Sequence, residues 1–435
     1  MRVRTHRLDD GAPSGQRLWQ MLHLLATRRF GPLFVTQLLG AFNDNLYRTA
    51  LVFIVAYDIA AADPARAAFL ASLAAGLFIL PFLLLSGIAG SVADARDKAA
   101  IARLVKLMEI GFMALGWLAL WLESLPLALL VVFLMGCHST LFGPVKYAIL
   151  PQHLKQDELL AGTGMVEAAT FVAILLGQVA GGLLATAAVG PVALLLAGIG
   201  WLAARAIPPA PPAAALAIDW NPWSSGRQAL AHAFGHRQLL VATLAISWFW
   251  ALGAVYTSQF VPLAKNAMGG TEAVATLFLA IFSVGIALGS LAVARLLKGR
   301  ISTRVCVGAG LAMALAGVDL FFAIPTVGTA PKSVAELFAI APGWRVAADL
   351  FALAAAGGVF SVPLYAVLQT AGEVGSRARA IAANNIVNSL FQVAAVLGVG
   401  AAVGAGAGAA LALMLSGLTV LLLLPALARI RGYCP

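Results

Sequence analysis

The sequence predicts an all-α polytopic membrane protein, with twelve transmembrane helices in two six-helix bundles and both termini cytoplasmic. Three observations carry this. Of 435 residues, 61% are hydrophobic and 11% charged, with mean hydropathy +0.93, whereas soluble domains carry about 25% charged residues; a water-soluble globular enzyme is excluded. The apolar residues run unbroken, as in 70–89 and 411–424, instead of alternating over roughly ten residues as barrel strands do; a β-barrel is excluded. The chain also repeats itself, three spans each matching the span six places later.

A spanning helix needs about 20 apolar residues. Apolar runs bounded by charge, proline or glycine give spans at about 30–56, 67–91, 100–122, 126–149, 159–186 and 190–207, then 238–262, 272–296, 303–325, 346–369, 379–403 and 406–428. The domains follow: a tail 1–29, a bundle 30–207, a linker 208–237, a second bundle 238–428 and a tail 429–435. The first tail carries Arg2, Arg4, Arg7, Arg17, Arg28 and Arg29 without an apolar core, and the run after it is too long for a signal-peptide core, so the first helix is expected to be retained. With the amino terminus inside, 21 of the 28 Lys and Arg lie on the cytoplasmic side and four outside (Arg66, Lys265, Lys332 and Arg345), as the positive-inside rule requires. The clustering of basic residues between apolar runs also removes nucleic acid as a partner. In the linker, Pro208-Pro209-Ala210-Pro211-Pro212 reads as a stiff extended segment, and the stretch after Trp220-Asn221-Pro222-Trp223 reads either as an interfacial helix or as a solvated connection.

The repeat is written in three alignments. Gly90-Ser91-Val92-Ala93-Asp94-Ala95-Arg96 matches Gly289-Ser290-Leu291-Ala292-Val293-Ala294-Arg295 at five of seven positions. Phe142 with Tyr147-Ala148-Ile149-Leu150 meets Phe360 with Tyr365-Ala366-Val367-Leu368, and Leu39-Gly40-Ala41-Phe42 meets Leu252-Gly253-Ala254-Val255. The offsets, 199, 218 and 213, always join span n to span n+6. Two parallel repeats of six helices are the architecture of major facilitator transporters.

The intramembrane charges ignore the repeat. Asp44 and Arg48 lie in span 1, Lys106 and Glu109 in span 3, Lys146 in span 4 and Glu167 in span 5, whereas the partners of Lys146 and Glu167 are Leu364 and Asn388. Each charge near the bilayer centre costs about 2.5–3.5 kcal/mol, so a cluster must pair internally or meet polar cargo. Asp44, Glu167 and His138 fall near mid-depth. Asp44 and Arg48, i and i+4 beside Gln37, Asn43 and Asn45, read either as a self-neutralising pair or as a cavity wall; Lys106 with Glu109, nearer the cytoplasm, reads as a structural or snorkelling pair. Asn384, Asn388 and Gln392 repeat along one face of span 11, as a cavity wall or as interhelical glue. Gly177 to Gly182 and Gly357-Gly358 permit close helix contact and rocking. Cys137, Cys306 and Cys434 are odd in number and far apart, which leaves no disulfide framework and no metal motif. No nucleophile with a base and no Gly-rich phosphate loop is evident, so the chain reads as neither an intramembrane enzyme nor a cofactor binder.

Gly90-x-x-x-Asp94-x-Arg96-Asp97-Lys98 resembles the loop 2–3 signature of the major facilitator superfamily, and Gly177-Gln178-Val179-Ala180-Gly181-Gly182 resembles its span 5 glycine motif. The segments around Gly40-Ala41-Phe42-Asn43-Asp44-Asn45, Phe142-Gly143-Pro144-Val145-Lys146-Tyr147, Ser247-Trp248-Phe249-Trp250 and Ala383-Asn384-Asn385-Ile386 resemble the lysophospholipid transporter (LplT-like) family. That resemblance implies inward movement of lysophospholipids across the bacterial inner membrane, with a separate acyltransferase and acyl-carrier-protein synthetase as partner; a monomer without cofactor is expected beside it. A cargo with a charged head and one acyl chain would use Asp44 for an ammonium and Arg48 or Lys146 for the phosphate. Gln37, Asn43, Asn45, His138 and Glu167 would complete the polar site. Trp248, Trp250, Asn384, Asn388 and Gln392 would face the chain, with Gly90, Asp94, Arg96 and Lys98 as a latch. The alternative is a proton-coupled exporter of amphipathic drugs, with Asp44 or Glu167 taking up the proton.

Overall fold

The computed structural model describes residues 23–430 apart from 60–62, 215, 329, 331 and 372. The arginines of the first tail before Arg28, together with Arg431 and Cys434, lie outside the described residues. Twelve long helical segments follow the predicted spans: α1 Gly31–Ile54, α2 Pro64–Ala95, α3 Lys98–Trp121, α4 Leu125–Ala148, α5 Gln156–Leu183 and α6 Thr186–Arg205. After the linker come α7 Arg237–Pro262, α8 Glu272–Leu296, α9 Arg304–Val327, α10 Ala341–Thr370, α11 Arg377–Gly404 and α12, which begins at Ala409–Leu418 and reaches Ile430 through a 3-10 turn. Among the described residues eleven helices are long and apolar enough to cross a membrane. The helix outside that set is α1, whose Gln37, Asn43, Asp44, Asn45 and Arg48 dilute an otherwise apolar 24-residue segment.

Local chemistry sets the ends. Asp63 accepts from the Arg66 amide ahead of Pro64 at the start of α2, and Asp97 accepts from the amides of Ala99 and Ala100 at the start of α3; both are N-caps, which satisfy amides a helix start leaves unpaired. Prolines 81, 144, 191 and 363 lie inside α2, α4, α6 and α10, tolerated because neighbouring helices absorb the kink.

The packing carries the sequence repeat into space. Within the first six helices α1 packs on α5 and α6, α2 on α4, and α3 on α4 and α6; within the second six, α7 packs on α11 and α12, α8 on α10, and α9 on α10 and α12. Between the sets α2 packs on α11 and α5 on α8, again a repeat-related pair. Even the ends correspond, since α1 and α7 both finish in a π-helical turn, Val55–Ile59 and Leu263–Ala267. The glycines at 177 and 181 join α5 to α1 inside one set: a Cβ on Gly177 would stand 2.5 Å from the Phe42 carbonyl oxygen. They serve a close packing within the first six helices; the approach of α5 to the other set is made at Gly164, against the Ser290 carbonyl.

The two sets meet at the linker end and part at the other. At the linker end the Thr163 hydroxyl donates to Gln369 Oε1 at 3.1 Å, and a Cβ on Gly90 would lie 2.6 Å from Ala382 Cβ across the α2–α11 contact. Residues 378–389 of α11 are largely buried, whereas from Leu390 to its end the helix is largely exposed. The linker itself contains a helix, Pro222–Gly235, capped by Asn221, whose side chain accepts from the amides of Trp223 and Ser224. Hydrogen bonds from the Ser224 side chain and the Asn221 amide hold nearby Asp219 below the usual carboxylate range. This helix packs on α2 and α11 and leaves Trp220 and Trp223 exposed, the geometry of the interfacial alternative.

Candidate functional site

A cavity of about 390 Å³ lies between the two sets of helices. One wall is ionic and comes from α1, α3 and α4. Lys106 Nζ stands 2.5 Å from Glu109 Oε2, with both side chains buried. The other Glu109 oxygen accepts from Asn43 Nδ2 at 3.0 Å. His138 Nε2 is 3.9 Å from both Asp44 Oδ1 and Glu109 Oε2, and its Nδ1 lies 3.0 Å from Ser139 Oγ, which donates to Asp44 Oδ2 at 2.6 Å. Phe112 stacks against the imidazole. Asp44 Oδ1 and His138 Nε2, although buried, have no hydrogen-bond partner, and unsatisfied buried polar atoms of this kind point to water, ion or cargo.

Arg48 does not pair with Asp44. Its guanidinium lies 4.1 Å over the Phe78 ring and donates to Asn45 Oδ1 at 3.0 Å, a cation–π placement that leaves the charge available at the cavity face. Lys146 rests 4.9 Å over the Tyr147 ring and, among the described residues, forms no ion pair within 4 Å. The cavity therefore presents three cations, Arg48, Lys106 and Lys146, against two carboxylates, Asp44 and Glu109.

The rest of the lining is apolar, aromatic and amide, beginning at the Phe78 ring beneath Arg48. Phe78, Ile79 and Phe82 come from α2, Phe249 and Trp250 from α7, Leu279 and Phe282 from α8, and Asn385, Asn388 and Gln392 from α11. Asn388 Oδ1 accepts from the Ser247 hydroxyl at 2.7 Å, so it is partly spent on holding α7 to α11. The floor is a cross-set aromatic cluster: Tyr147 of α4 and Tyr365 of α10 stack with centroids 4.5 Å apart and planes 10° apart, and Trp250 Nε1 donates to Tyr365 Oη at 2.7 Å. Phe171 stacks on Trp250 with centroids 5.4 Å apart.

Of the residues expected from sequence, Gln37, Asp44, Asn45, Arg48, His138, Lys146, Trp250, Asn388 and Gln392 line this cavity. Four do not. Asn43 faces α3 and α6, donating to Glu109 and to the Ala193 carbonyl at 3.1 Å. Trp248 is turned one helical face away from Trp250 and donates to Thr419 Oγ1 at 2.7 Å. Asn384 is buried next to the α10 contact, and Glu167 lies beneath the floor, accepting from the Tyr147 hydroxyl. Lys106 with Glu109, read as a structural or snorkelling pair, is a buried ion pair that also borders the cavity; Gly40 on α1 leaves room for the Lys106 ammonium, which a Cβ there would strike. Ser139, Tyr147, Tyr365 and Asn385 also line it. The alignment of Tyr147 with Tyr365 was the signal that could have found two of them.

At the linker end Asp94 accepts from the amides of Ala378 and Arg379 at 3.0 and 3.1 Å, with Arg379 Nε 3.7 Å away. It thereby caps the start of α11 from across the interface, where the helix dipole favours a negative charge. Arg96, expected to share this contact, is exposed and takes part in no ion pair among the described residues; Lys98 is buried. The cysteines Cys137 and Cys306 are free thiols.

Comparison with known proteins adds to this geometry. The family model described as Major Facilitator Superfamily matches residues 33–396. The lysophospholipid transporter LplT of Serratia proteamaculans is 29% identical over 377 residues, covering 83% of this chain and 85% of that protein. Among solved structures, the human organic anion transporter MFSD10 (TETRAN) superposes with a TM-score of 0.75 at 16% identity, covering 92% of this chain and 99% of that one. The transporter FucP in its outward conformation gives 0.70 at 13% identity, covering 93% and 98%.

Proposed function

The chain belongs to the Major Facilitator Superfamily, and from that premise we propose that this multi-pass membrane protein moves lysophospholipids from the outer to the inner leaflet of a bacterial inner membrane by alternating access. The observation that carries the reading is the divided cavity, with one ionic wall holding an excess of cation and one aromatic and apolar wall. A lysophospholipid divides the same way, into a phosphate-bearing head and one chain. Arg48 and Lys146 take the phosphate and the unpaired Asp44 oxygen takes the ammonium of a zwitterionic head. A cavity near the lower end of the roughly 300–1,000 Å³ that holds small ligands accommodates the head, and the chain leaves between the outer halves of α2 and α11, where Leu73, Leu80, Leu390 and Phe391 are exposed. The similarity to the Serratia transporter, named for this cargo, supports the same reading.

The basic linker end faces the cytoplasm in this reading, so the cavity, closed at that end, is in an outward-facing arrangement. The segments 30–207 and 238–428 are the two moving domains, the linker 208–237 and both tails are cytoplasmic, and the reacylating enzyme is a separate chain working beside a monomeric transporter. Asp94 is the latch: Asp94→Ala removes two bonds to the first amides of α11, a loss of about 1–2 kcal/mol by analogy with helix caps. Labelling of a cysteine placed at Ala382 is then expected to rise from the linker side, and unchanged labelling would remove Asp94 from this role.

The test of cargo uses purified protein in liposomes with fluorescent lysophosphatidylethanolamine in the outer leaflet, compared with the diacyl lipid and a lipophilic dye. Fast movement of the lysolipid alone is expected. Movement of the dye alone, under a proton gradient, would favour an amphiphile exporter.

A further inference from the structure

A second concavity shares no residue with the cargo cavity. It is an apolar groove of about 670 Å³ between α3 and α6, within the roughly 300–1,000 Å³ of ligand sites, and its lining includes Ile110 and Trp117 of α3 with Pro191, Leu195, Gly198 and Trp201 of α6. Trp117 and Leu195 are exposed, so the groove opens on the outer surface of the first six helices. Two glycines shape it. Trp117 seats against Gly190, where a Cβ would stand 2.5 Å from the indole, and this closes the end remote from the linker; at Gly198 a Cβ would meet nothing within 4 Å, and there the groove is open.

Residues seven apart on a helix are close to two full turns apart and share a face. Arg103, Ile110 and Trp117 stand at that interval on α3, and Pro191, Gly198 and Arg205 stand at it on α6. The helices run antiparallel, with Trp117 against Gly190 and Lys106 against Gly200, so both arginines fall at the linker end of the groove. The Arg205 guanidinium lies 5.0 Å over the ring of Trp201, a lining residue, and neither arginine forms an ion pair among the described residues. From Pro191 to Arg205 the groove extends about 21 Å at 1.5 Å per residue, rather more than one leaflet's half of a roughly 30 Å hydrocarbon core. It therefore has the reach of one leaflet's acyl chain, with two cations at the headgroup end and no carboxylate to neutralise them. We propose that this groove binds an anionic diacyl phospholipid of the cytoplasmic leaflet, its phosphate on Arg103 and Arg205 and one acyl chain along Gly198 toward Trp117. The charges select the head, since guanidinium groups at a membrane surface favour an anionic lipid over a zwitterionic one. The lipid is resident and separate from the cargo. Its chain covers the α3–α6 seam, behind which a Cβ on Gly200 would stand 3.6 Å from Lys106 Cδ.

Of the proposed function this uses only the orientation, with the linker end in the cytoplasm, and the experiment needs no transport. Purified protein in detergent is offered phosphatidylglycerol and phosphatidylcholine carrying the same two acyl chains; lipid adducts are read by native mass spectrometry and the thermal midpoint of each variant is recorded. The wild type is expected to take up a first phosphatidylglycerol about 10-fold more readily than phosphatidylcholine, the scale of two arginines at a membrane surface. Arg103→Gln combined with Arg205→Gln is expected to bind the two lipids alike. Gly198→Leu fills the groove with both arginines in place and is expected to lose the first adduct. Equal uptake of the two lipids by the wild type overturns the proposal. So does a preference that survives the double variant, which would place it elsewhere on the basic surface, or one that survives Gly198→Leu, which would leave the acyl chain outside the groove. A dimer mass that Gly198→Leu abolishes would give the groove to a second copy of this chain instead. Failure of lysolipid to move in liposomes, with the phosphatidylglycerol preference intact, would remove the cargo and leave this lipid site.

Discussion

Asp44→Ala is expected to slow lysophospholipid movement by about 10- to 100-fold while leaving the protein folded. A charge-assisted hydrogen bond is worth about 1.5–3 kcal/mol, and each 1.4 kcal/mol is a factor of ten. The carboxylate is held by Ser139 at one oxygen, while the other has no hydrogen bond and stands 3.9 Å from His138 Nε2, so its removal frees one hydroxyl and gives up that long contact alone. Asp44→Asn keeps the shape and the Ser139 contact and loses only the charge. If its loss equals that of the alanine variant for a zwitterionic head, and is small for an anionic head, the ammonium contact is the cause. Full transport by Asp44→Ala would remove the residue from the site. The readout is the initial rate of lysolipid movement in the liposomes described above, normalised to folded protein.

The second large effect is on stability. Lys106→Ala leaves Glu109 buried without its cation, with Asn43 as hydrogen-bond donor and His138 Nε2 3.9 Å away, and breaking a buried pair in this way costs about 3–5 kcal/mol. A fall in the thermal unfolding midpoint of the purified protein is expected, together with poor recovery from the membrane. Removing both charges, as Lys106→Met with Glu109→Leu, is expected to recover most of that midpoint, because well-packed apolar side chains replace a buried pair at little cost. A single variant as stable as the wild type would mean that Glu109 is neutral or solvated in the protein.

The spans and the repeat were legible because both are written in composition: a bilayer demands long apolar runs, and duplicated bundles keep their glycines, aromatics and helix ends in register. The division of labour between the halves was also legible, since charges near mid-depth stand out against such a background. The rotational setting of each helix was not. A soluble helix shows its buried face by being apolar there, but in lipid the outward face is apolar too, so Trp248 could not be told from Trp250, or Asn384 from Asn388. For Lys106 and Glu109 the structural pairing was legible and the inward setting was not, for a related reason. An i,i+3 pair nine residues into a helix can snorkel or turn inward, and what decided it was Gly40 on another helix. Glu167 went beneath the floor because its partner hydroxyl, Tyr147, is the residue that separates it from the cavity.

The linker has a mechanical consequence. Its backbone is tied by hydrogen bonds to the first half, through Ala210 with Asp97 and Lys98 and through Asp219 with Ser91. Its helix meets α2 backbone to backbone, at Gly87 and Gly226, whereas from α11 Gly226 is approached by the Ile386 side chain. Treated as two rigid bodies, the molecule is therefore unequal: one carries six spanning helices plus the linker helix Pro222–Gly235, the other six alone. The first body also carries the exposed Trp220 and Trp223, so in the proposed alternating-access cycle the linker helix travels with the ion-bearing half and the second half moves against both.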